Sequence, residues 1–516
     1  MRIETQVLVI GGGLTGSGIL RDLTLRGVPA VLVERKDINA GASGANHGLL
    51  HSGGRYAVRD PASAAECALE NEILKRVASG CIEPTGGLFV GLPDDPDEYA
   101  ADFLHAATKV GIPAHPLSVA EALEREPRLN PDVQTVIEVP DAAINPFMAT
   151  GANLDAATAG GAQVLLHTPV VGMKLDGRRV VQVDTIRSRT GELLEIVAEQ
   201  IVSAAGPWVD QIGALAGVEI AIAYSKGSLL ITNSRLVDHV INRLRPPSDA
   251  DIIVPGETVT ITGTTSVRVE NIDSLSTGAI EVDHIIAGAA EMVPAMAEAR
   301  YIRAYAGVRP LVHAPSAEGD RGLSRSFRVF DHAADGVDNL VTIAGGKLTT
   351  YRLMAEKTVD LVCHKLALNA PCRTAEVPLP GSEQGDHLDT AQRLERMQAA
   401  APAGEVLCEC EMISRSRVDD VVNKLEQEQH GIEPNAIRLR SRLGMGACQG
   451  GFCGFRTVGY LYERGLLRDG AGLEVLQDFL EKRWGGIKPM LWGDQLRQEQ
   501  LLEAIYCGSL NIDGDL

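Results

Sequence analysis

Aromatic residues are scarce in this chain, with eight Phe, three Trp and nine Tyr among 516 residues. Positive charge is also short. Lys and Arg number 48 against 68 Asp and Glu, a formal net charge of −20. That balance argues against nucleic-acid binding through the general surface, and it restricts any anion to a pocket where cations are concentrated. Long apolar runs are missing too. The stretch Val7–Leu20 carries five glycines and is too short and too Gly-rich to span a membrane. Met1–Glu4 leads straight into a strand pattern, so no signal peptide is expected. Without one, the odd set of nine cysteines argues against a disulfide framework.

What is present is an ordinary globular balance, with 45% hydrophobic and 22% charged residues. That excludes a wholly disordered or fibrous chain. The length suggests about three domains. Glycine is abundant at 54 residues, which suits an α/β protein with many tight turns.

The chain opens with a βαβ pattern. Gln6–Ile10 reads as a buried strand, Ser17–Arg26 as a helix and Val28–Glu34 as a second strand. Between strand and helix lies Gly11-Gly12-Gly13-Leu14-Thr15-Gly16, a G-x-G-x-x-G turn. Such a turn brings a pyrophosphate close to a helix N-terminus. Glu34 ends the second strand, where a carboxylate can bind the adenosine ribose. Helices are expected over 62–79 and 98–110, and strands over 84–92 and 133–139. Strands and turns are expected to alternate over 164–205, and residues 221–270 are rich in β-branched positions. Ile201–Gly206 reads as a strand returning to the nucleotide fold. Gly345-Gly346-Lys347 sits between a last strand and a long helix. That arrangement favours FAD over NAD, because the helix N-terminus would stabilise a reduced, anionic flavin.

Polar groups cluster beside glycines in four further segments. His47, His51, Arg55 and Tyr56 lie in NHGLLHSGGRY, and Lys226 in YSKGSLL. Arg309 lies in YAGVRPL, with Arg325 following in GLSRSF, and Lys347 lies in GGKLTTYR. Taken singly, each has an ordinary reading as a solvated charge or a structural histidine. Set beside Gly, where backbones turn or pack closely, they form a candidate site. The cysteines cluster as well: Cys408 and Cys410, then Cys448 and Cys453 in GMGACQGGFCG. Four thiolates can hold zinc or a [2Fe–2S] cluster. A C-x-C pair and a Gly-rich second loop favour the cluster over a zinc ribbon.

These segments resemble the flavin-dependent glycerol-3-phosphate dehydrogenases of the glycine oxidase and D-amino-acid oxidase-like superfamily. The matching signatures are GGGLTGSGI, HSGGRY, GPW at Gly206–Trp208, KGS at Lys226–Ser228, GTT at Gly263–Thr265, AGVRPL and GGKLTTYR. The runs Glu66–Val90 and Arg245–Gly256 are similar to the large catalytic component of the anaerobic bacterial branch, which carries an additional cysteine module. That module resembles the bacterioferritin-associated ferredoxin type.

The resemblance implies an α/β fold: a Rossmann-like FAD-binding domain, a mixed antiparallel-sheet substrate domain and a small, mainly helical C-terminal cysteine domain. The expected limits are 1–370 for the oxidoreductase core, with FAD binding over 1–80, 145–220 and 335–370. The substrate sheet would take 81–144 and 221–334. A linker would follow at 371–404, the cluster module at 405–465 and a helical tail at 466–516. The implied FAD contacts are Gly11, Gly13, Thr15, Gly16, Glu34, Arg35, Ser43, Gly206, Gly345, Gly346, Leu348 and Thr349. Arg55, Tyr56, Arg309, Arg325 and Lys347 would bind the substrate phosphate. His51, Arg309 and Lys347 would be catalytic, with His51 or an arginine serving as the base. Cys408, Cys410, Cys448 and Cys453 would hold the cluster. The expected reaction is oxidation of sn-glycerol 3-phosphate to dihydroxyacetone phosphate. Electrons would pass through the cluster and companion subunits to a quinone, from a cytoplasmic protein held peripherally at the inner membrane. Two alternatives stand beside it: an amino- or imino-acid dehydrogenase on the same fold, and a non-catalytic electron-transfer protein.

Overall fold

The computed structural model describes residues 1–312, 326–383, 406–428 and 430–512, together with positions 392 and 395. Strand β1 (Arg2–Ile10), helix α1 (Leu14–Leu25) and strand β2 (Ala30–Val33) form the opening βαβ unit. The C-terminal half of β1, Val7–Ile10, is buried on both faces, as an interior strand of a parallel sheet requires. Its alternation feeds two cores. Val7 and Val9 pack with Ile19, Leu20, Val359 and Val362 on one face. Leu8 and Ile10 pack with Val183, Ile196 and Leu340 on the other. Each such side chain contributes roughly 1.5–3 kcal/mol on burial, so this short strand firmly anchors the turn that follows it.

The first sheet has eight strands. β1 lies between β2 and Leu193–Ser203, all parallel, and Leu340–Gly345 adds parallel to Leu193–Ser203. Gln163–Leu165 extends the β2 edge. Val170–Asp176 and Arg179–Ile186 add antiparallel on the other side. Phe327–Asp331 also belongs here, paired antiparallel with Leu340–Gly345. This corrects the expected limit at 334, which gave that segment to the substrate sheet. A local hairpin decides it: His332 at the turn is held by Asp335 (2.7 Å) and Thr342 (2.9 Å).

The second sheet has nine strands. Its longest pairing joins Ala223–Thr232 to Tyr301–Leu311, antiparallel and in register from Ala223↔Leu311 to Ile231↔Arg303. Val259–Gly263 and Ile252–Gly256 follow, then Val240–Arg243, Gly87–Gly91, Thr135–Val139 and His115–Leu117. The helix expected over 62–79 runs Pro61–Val77. Asp60 caps it by accepting from the Ser63 N–H (3.2 Å), and Pro61 takes the first turn, where no N–H is needed.

The C-terminal unit begins with paired strands Val406–Cys408 and Ile413–Ser414. Helices follow at Arg415–Gln427, Pro434–Ser441, Cys453–Glu463, Ala471–Trp484 and Asp494–Glu503. One apolar core runs from Leu407 to Ile512, so residues on both sides of position 465 share it. Ion pairs Arg440–Asp37 (2.8 Å), Arg189–Glu433 and Lys424–Asp155 join this unit to the nucleotide-binding half. Most of the expected linker, at 384–391, 393–394 and 396–404, lies outside the described residues, as does position 405.

Candidate active site

The glycine turn explains its own sequence. Gly11 has φ +120°, and a Cβ there would lie 2.5 Å from the Ala204 carbonyl oxygen. A Cβ at Gly16 would lie 1.9 Å from the Gly11 carbonyl oxygen. Only a chain without side chains at these points turns this tightly and leaves the start of α1 open. Gly13, the helix N-cap, has no side chain to offer the first turn. Ser43 Oγ accepts from the Leu14 N–H at 3.0 Å. Glu34 accepts from the Gly12 N–H (2.7 Å) and the Lys36 N–H (2.8 Å). Burial pushes its carboxyl up, and those two donors oppose the shift. Arg35 stacks over the Trp208 ring, 3.9 Å from its centroid, and both bond Asp273.

This turn lines a cavity of about 740 Å³. Gly11, Gly13, Thr15, Glu34, Arg35, Ser43, Gly206, Gly345, Gly346 and Leu348 all reach it from the nucleotide sheet. From the other sheet and the 44–60 segment come His47, His51, Arg55, Tyr56, Arg59 and Arg309, with Lys347 beside them. One space thus holds a dinucleotide cradle at one end and cations at the other. The N-terminus of α1, the Glu34 carboxylate and the glycine cradle fit an FAD-type cofactor.

His51 sits at the junction. It is buried, and its backbone N–H donates to Thr349 Oγ1 (2.9 Å). Its ring meets His47 and Tyr56 edge-on, with centroids 5.9 and 5.4 Å apart. Burial, and then the charges of His47, Arg55 and Lys347, hold its imidazole well below the usual range. It is therefore neutral at pH 7 and able to accept a proton. His47 is pushed down to about 3, by burial first and then by Arg309 and Arg55.

The predicted cations differ in their partners. Arg309 donates from Nη1 to the Thr265 carbonyl (3.1 Å) and from Nη2 to Thr264 Oγ1. Lys347 Nζ lies 5.2 Å from the Tyr56 ring centroid. Arg55 donates to the Ser248 carbonyl (2.9 Å) and Asp251 Oδ2 (3.2 Å), so a buried carboxylate balances its charge. Lys226 pairs with Glu281 (2.7 Å) and does not line the cavity. Arg325 lies outside the described residues. Two lining residues escaped the sequence reading. Arg59 reaches the cavity from the Arg59-Asp60-Pro61 turn. Gly227 leaves room for Arg309, since a Cβ there would lie 2.3 Å from Nη2. The KGS signature pointed at the lysine, while the glycine next to it is what the site uses.

The four cysteines lie near one another in the C-terminal unit. Cys408 Sγ lies 3.8 Å from Cys410 Sγ, which lies 3.9 Å from Cys448 Sγ. Cys453 bonds both Cys408 and Cys448. Neighbouring thiols hold Cys408 and Cys448 low, at about 3 and about 2, while Cys410 and Cys453 are pushed up. Four sulfurs this close do not all ionise without a positive centre between them. A Cβ at Gly446 would lie 2.6 Å from Cys410 Sγ, so glycine there brings backbone against sulfur. Among the described residues as they stand, no group of three or more His, Cys, Asp or Glu is placed to hold a metal ion. Among them, too, no helix is long and apolar enough to cross a membrane.

The family model for FAD dependent oxidoreductases matches residues 6–361. The chain is 41% identical to the A-subunit of the anaerobic glycerol-3-phosphate dehydrogenase of Escherichia coli, covering 99% of this chain and 97% of that one. It is also 41% identical to the corresponding A1-subunit from Haloferax volcanii, covering 100% and 92%. The glycerol-3-phosphate dehydrogenase of Bacillus halodurans, solved with FAD, superposes with a TM-score of 0.62 over 97% of this chain and 95% of its own, at 23% identity. The family model spans the glycine cradle and the second sheet that brings cations to it, and the two relatives run on through the four-cysteine unit. The chain therefore belongs to the FAD dependent oxidoreductases, in the family of the A-subunits of anaerobic glycerol-3-phosphate dehydrogenase.

Proposed function

We propose that the protein oxidises sn-glycerol 3-phosphate to dihydroxyacetone phosphate with FAD as the acceptor. The observation that carries this reading is the single cavity in which a dinucleotide cradle faces His51, Arg309 and Lys347. A phosphate dianion needs converging cations. Arg309 and Lys347 meet it, with Arg59 at the cavity wall and Arg325 as a further candidate. Arg55 lines the same cavity, but Asp251 balances its charge. Bound flavin supplies a two-electron acceptor. The C2 hydroxyl gives its proton to a ring nitrogen of the neutral His51, and the C2 hydrogen leaves with its electron pair as the carbonyl forms.

The cysteine unit extends the reading. Cys408, Cys410, Cys448 and Cys453 would hold a [2Fe–2S] cluster. Support comes from an all-sulfur donor set, its C-x-C pair and the Gly-rich loop that carries Cys448 and Cys453. One-electron carriage from the flavin to companion subunits, and from them to a quinone, follows, with attachment to the membrane through those partners.

Turnover of a substrate panel with an artificial dye tests the reading. Glycerol 3-phosphate should be oxidised far faster than glycine, proline or lactate, and acid should release FAD. Preference for an amino acid would replace the proposed substrate. Absence of all turnover in FAD-loaded protein would favour a pure electron-transfer role.

A further inference from the structure

Behind the 44–48 segment lies a second cavity, of about 340 Å³. Asn46 and His47 border both cavities, so this one backs onto the active site without belonging to it. Its far wall is built from residues remote in sequence: Arg303 of the second sheet, and Arg438, Arg442 and Arg483 of the C-terminal unit.

Three of these arginines have no carboxylate in direct contact; Asp37 and Asp478, the acids that act on Arg438, are already engaged by Arg440 and Lys482. Arg442 is the exception, paired with Glu411 at 2.8 Å. Arg303 donates from Nη1 to the carbonyls of Lys482 (3.0 Å) and Arg483 (2.7 Å), at the end of helix Ala471–Trp484. No acceptor among the described residues reaches its Nε or Nη2. Arg438 donates from Nε to Asn435 Oδ1 (3.2 Å), and its two Nη groups have no acceptor there either. Arg483 bonds Gln449, and its Nε has no partner. Burial lowers Arg303 and Arg438 to about 10; Arg303 further depresses Arg438, and Asp37 and Asp478 act the other way. Both still carry their charge at pH 7. The cysteine thiolates bear on Arg483 but do not figure among the charges acting on Arg303 or Arg438. The acidic residues on the cavity wall are Glu83 and Glu257, and Arg235 already engages Glu83 at 2.6 Å.

Like charges held together inside a protein with no carboxylate in direct contact are costly. The cavity beside them has the size of a small-molecule site. We propose that this cavity is a second anion site, which takes a small phosphate-bearing ligand with its charged end on Arg303 and Arg438. The guanidinium donors left open on both arginines are the ones a phosphate accepts from. The site is distinct from the substrate clamp, because none of its arginines lines the first cavity.

Inorganic pyrophosphate, titrated calorimetrically into FAD-loaded protein, tests this. Arg309→Ala serves as the background that weakens the substrate clamp. The expected result is a saturable site that persists in that background. It should weaken about tenfold or more when Arg438→Gln is added. Arg438→Gln leaves the helix contact of Arg303 in place, and FAD content reports that the variant is folded. A second readout is thermal: pyrophosphate should raise the melting temperature of the parent and not that of Arg438→Gln. Absence of saturable binding overturns the proposal. So does binding that survives Arg438→Gln together with Arg303→Gln, or binding that disappears with Arg309→Ala alone.

Discussion

Arg309 and His51 divide the work at the scale of single residues. Arg309 is held by Thr264 and Thr265 in the connection that follows strand Val259–Gly263, so its guanidinium is fixed before substrate arrives. Arg309→Ala removes a preorganised charge from an anion site. The expected loss is about 2–4 kcal/mol in transition-state binding, roughly 30- to 900-fold in kcat/KM, with FAD content unchanged. Steady-state kinetics with glycerol 3-phosphate, set beside the flavin spectrum, check it; unaltered kinetics would remove Arg309 from the clamp. His51 and His47 carry a pH consequence. Both are buried as neutral rings and bind protons only well below the ordinary 6.5. The unfolded chain binds them near 6.5, so below that pH it holds more protons than the folded chain. Stability is therefore complete above about pH 6.5 and falls as pH drops toward the folded values. Melting temperatures at pH 5 and pH 7.5 should differ, and the difference should shrink in His47→Gln. An equal drop in both proteins would acquit the histidine.

Elements decide which of these residues meet. In the second sheet, Gly227 lies opposite Gly307 and Ser225 opposite Arg309. Gly227 is thus two positions from the arginine's partner, on the same face. A Cβ at 227 collides with the far end of a flexible side chain, not with backbone, so the sheet tolerates it while Arg309 moves. Gly227→Ala should fold, retain FAD and reproduce much of the kinetic loss of Arg309→Ala. Retention of full activity would mean that Arg309 acts from another position. The sequence was legible where chemistry is local. The glycine turn, Glu34, the Asp60–Pro61 helix start and the final GGK turn each declare themselves within a few residues. The pairing of 223–232 with 301–311 was not legible, because register across some 70 residues of chain leaves no periodic trace. Nor was the Arg55–Asp251 pair, which turns an apparent phosphate ligand into a balanced charge. Phe327–Asp331 went astray for a similar reason: a short strand takes its sheet from its hairpin partner, not from its neighbours in sequence.

At the scale of the whole molecule, two units with separate cores divide the chemistry. The cavity that faces the substrate is built from residues before 360, and the cysteine set from residues after 400. Cys448→Ser should remove the iron–sulfur signal and most of the iron while substrate still reduces the flavin. Iron analysis, the visible spectrum and anaerobic substrate titration check this together. Zinc in place of iron in the parent protein would make the unit structural. Full quinone reduction without the cluster would do the same. The remoteness of Arg303, Arg438 and Arg483 in sequence hid the rear cavity completely, since only docking of the two units assembles it.

The 44–48 segment is a partition with two wet faces, Asn46 and His47 bordering the space on either side. Thermodynamic linkage then binds the two compartments to each other. Whatever factor flavin or substrate imposes on affinity behind the partition, the occupant behind it imposes in return on affinity in front. A ligand that shifts Asn46 or His47 on one side of this thin wall would thereby be felt on the other.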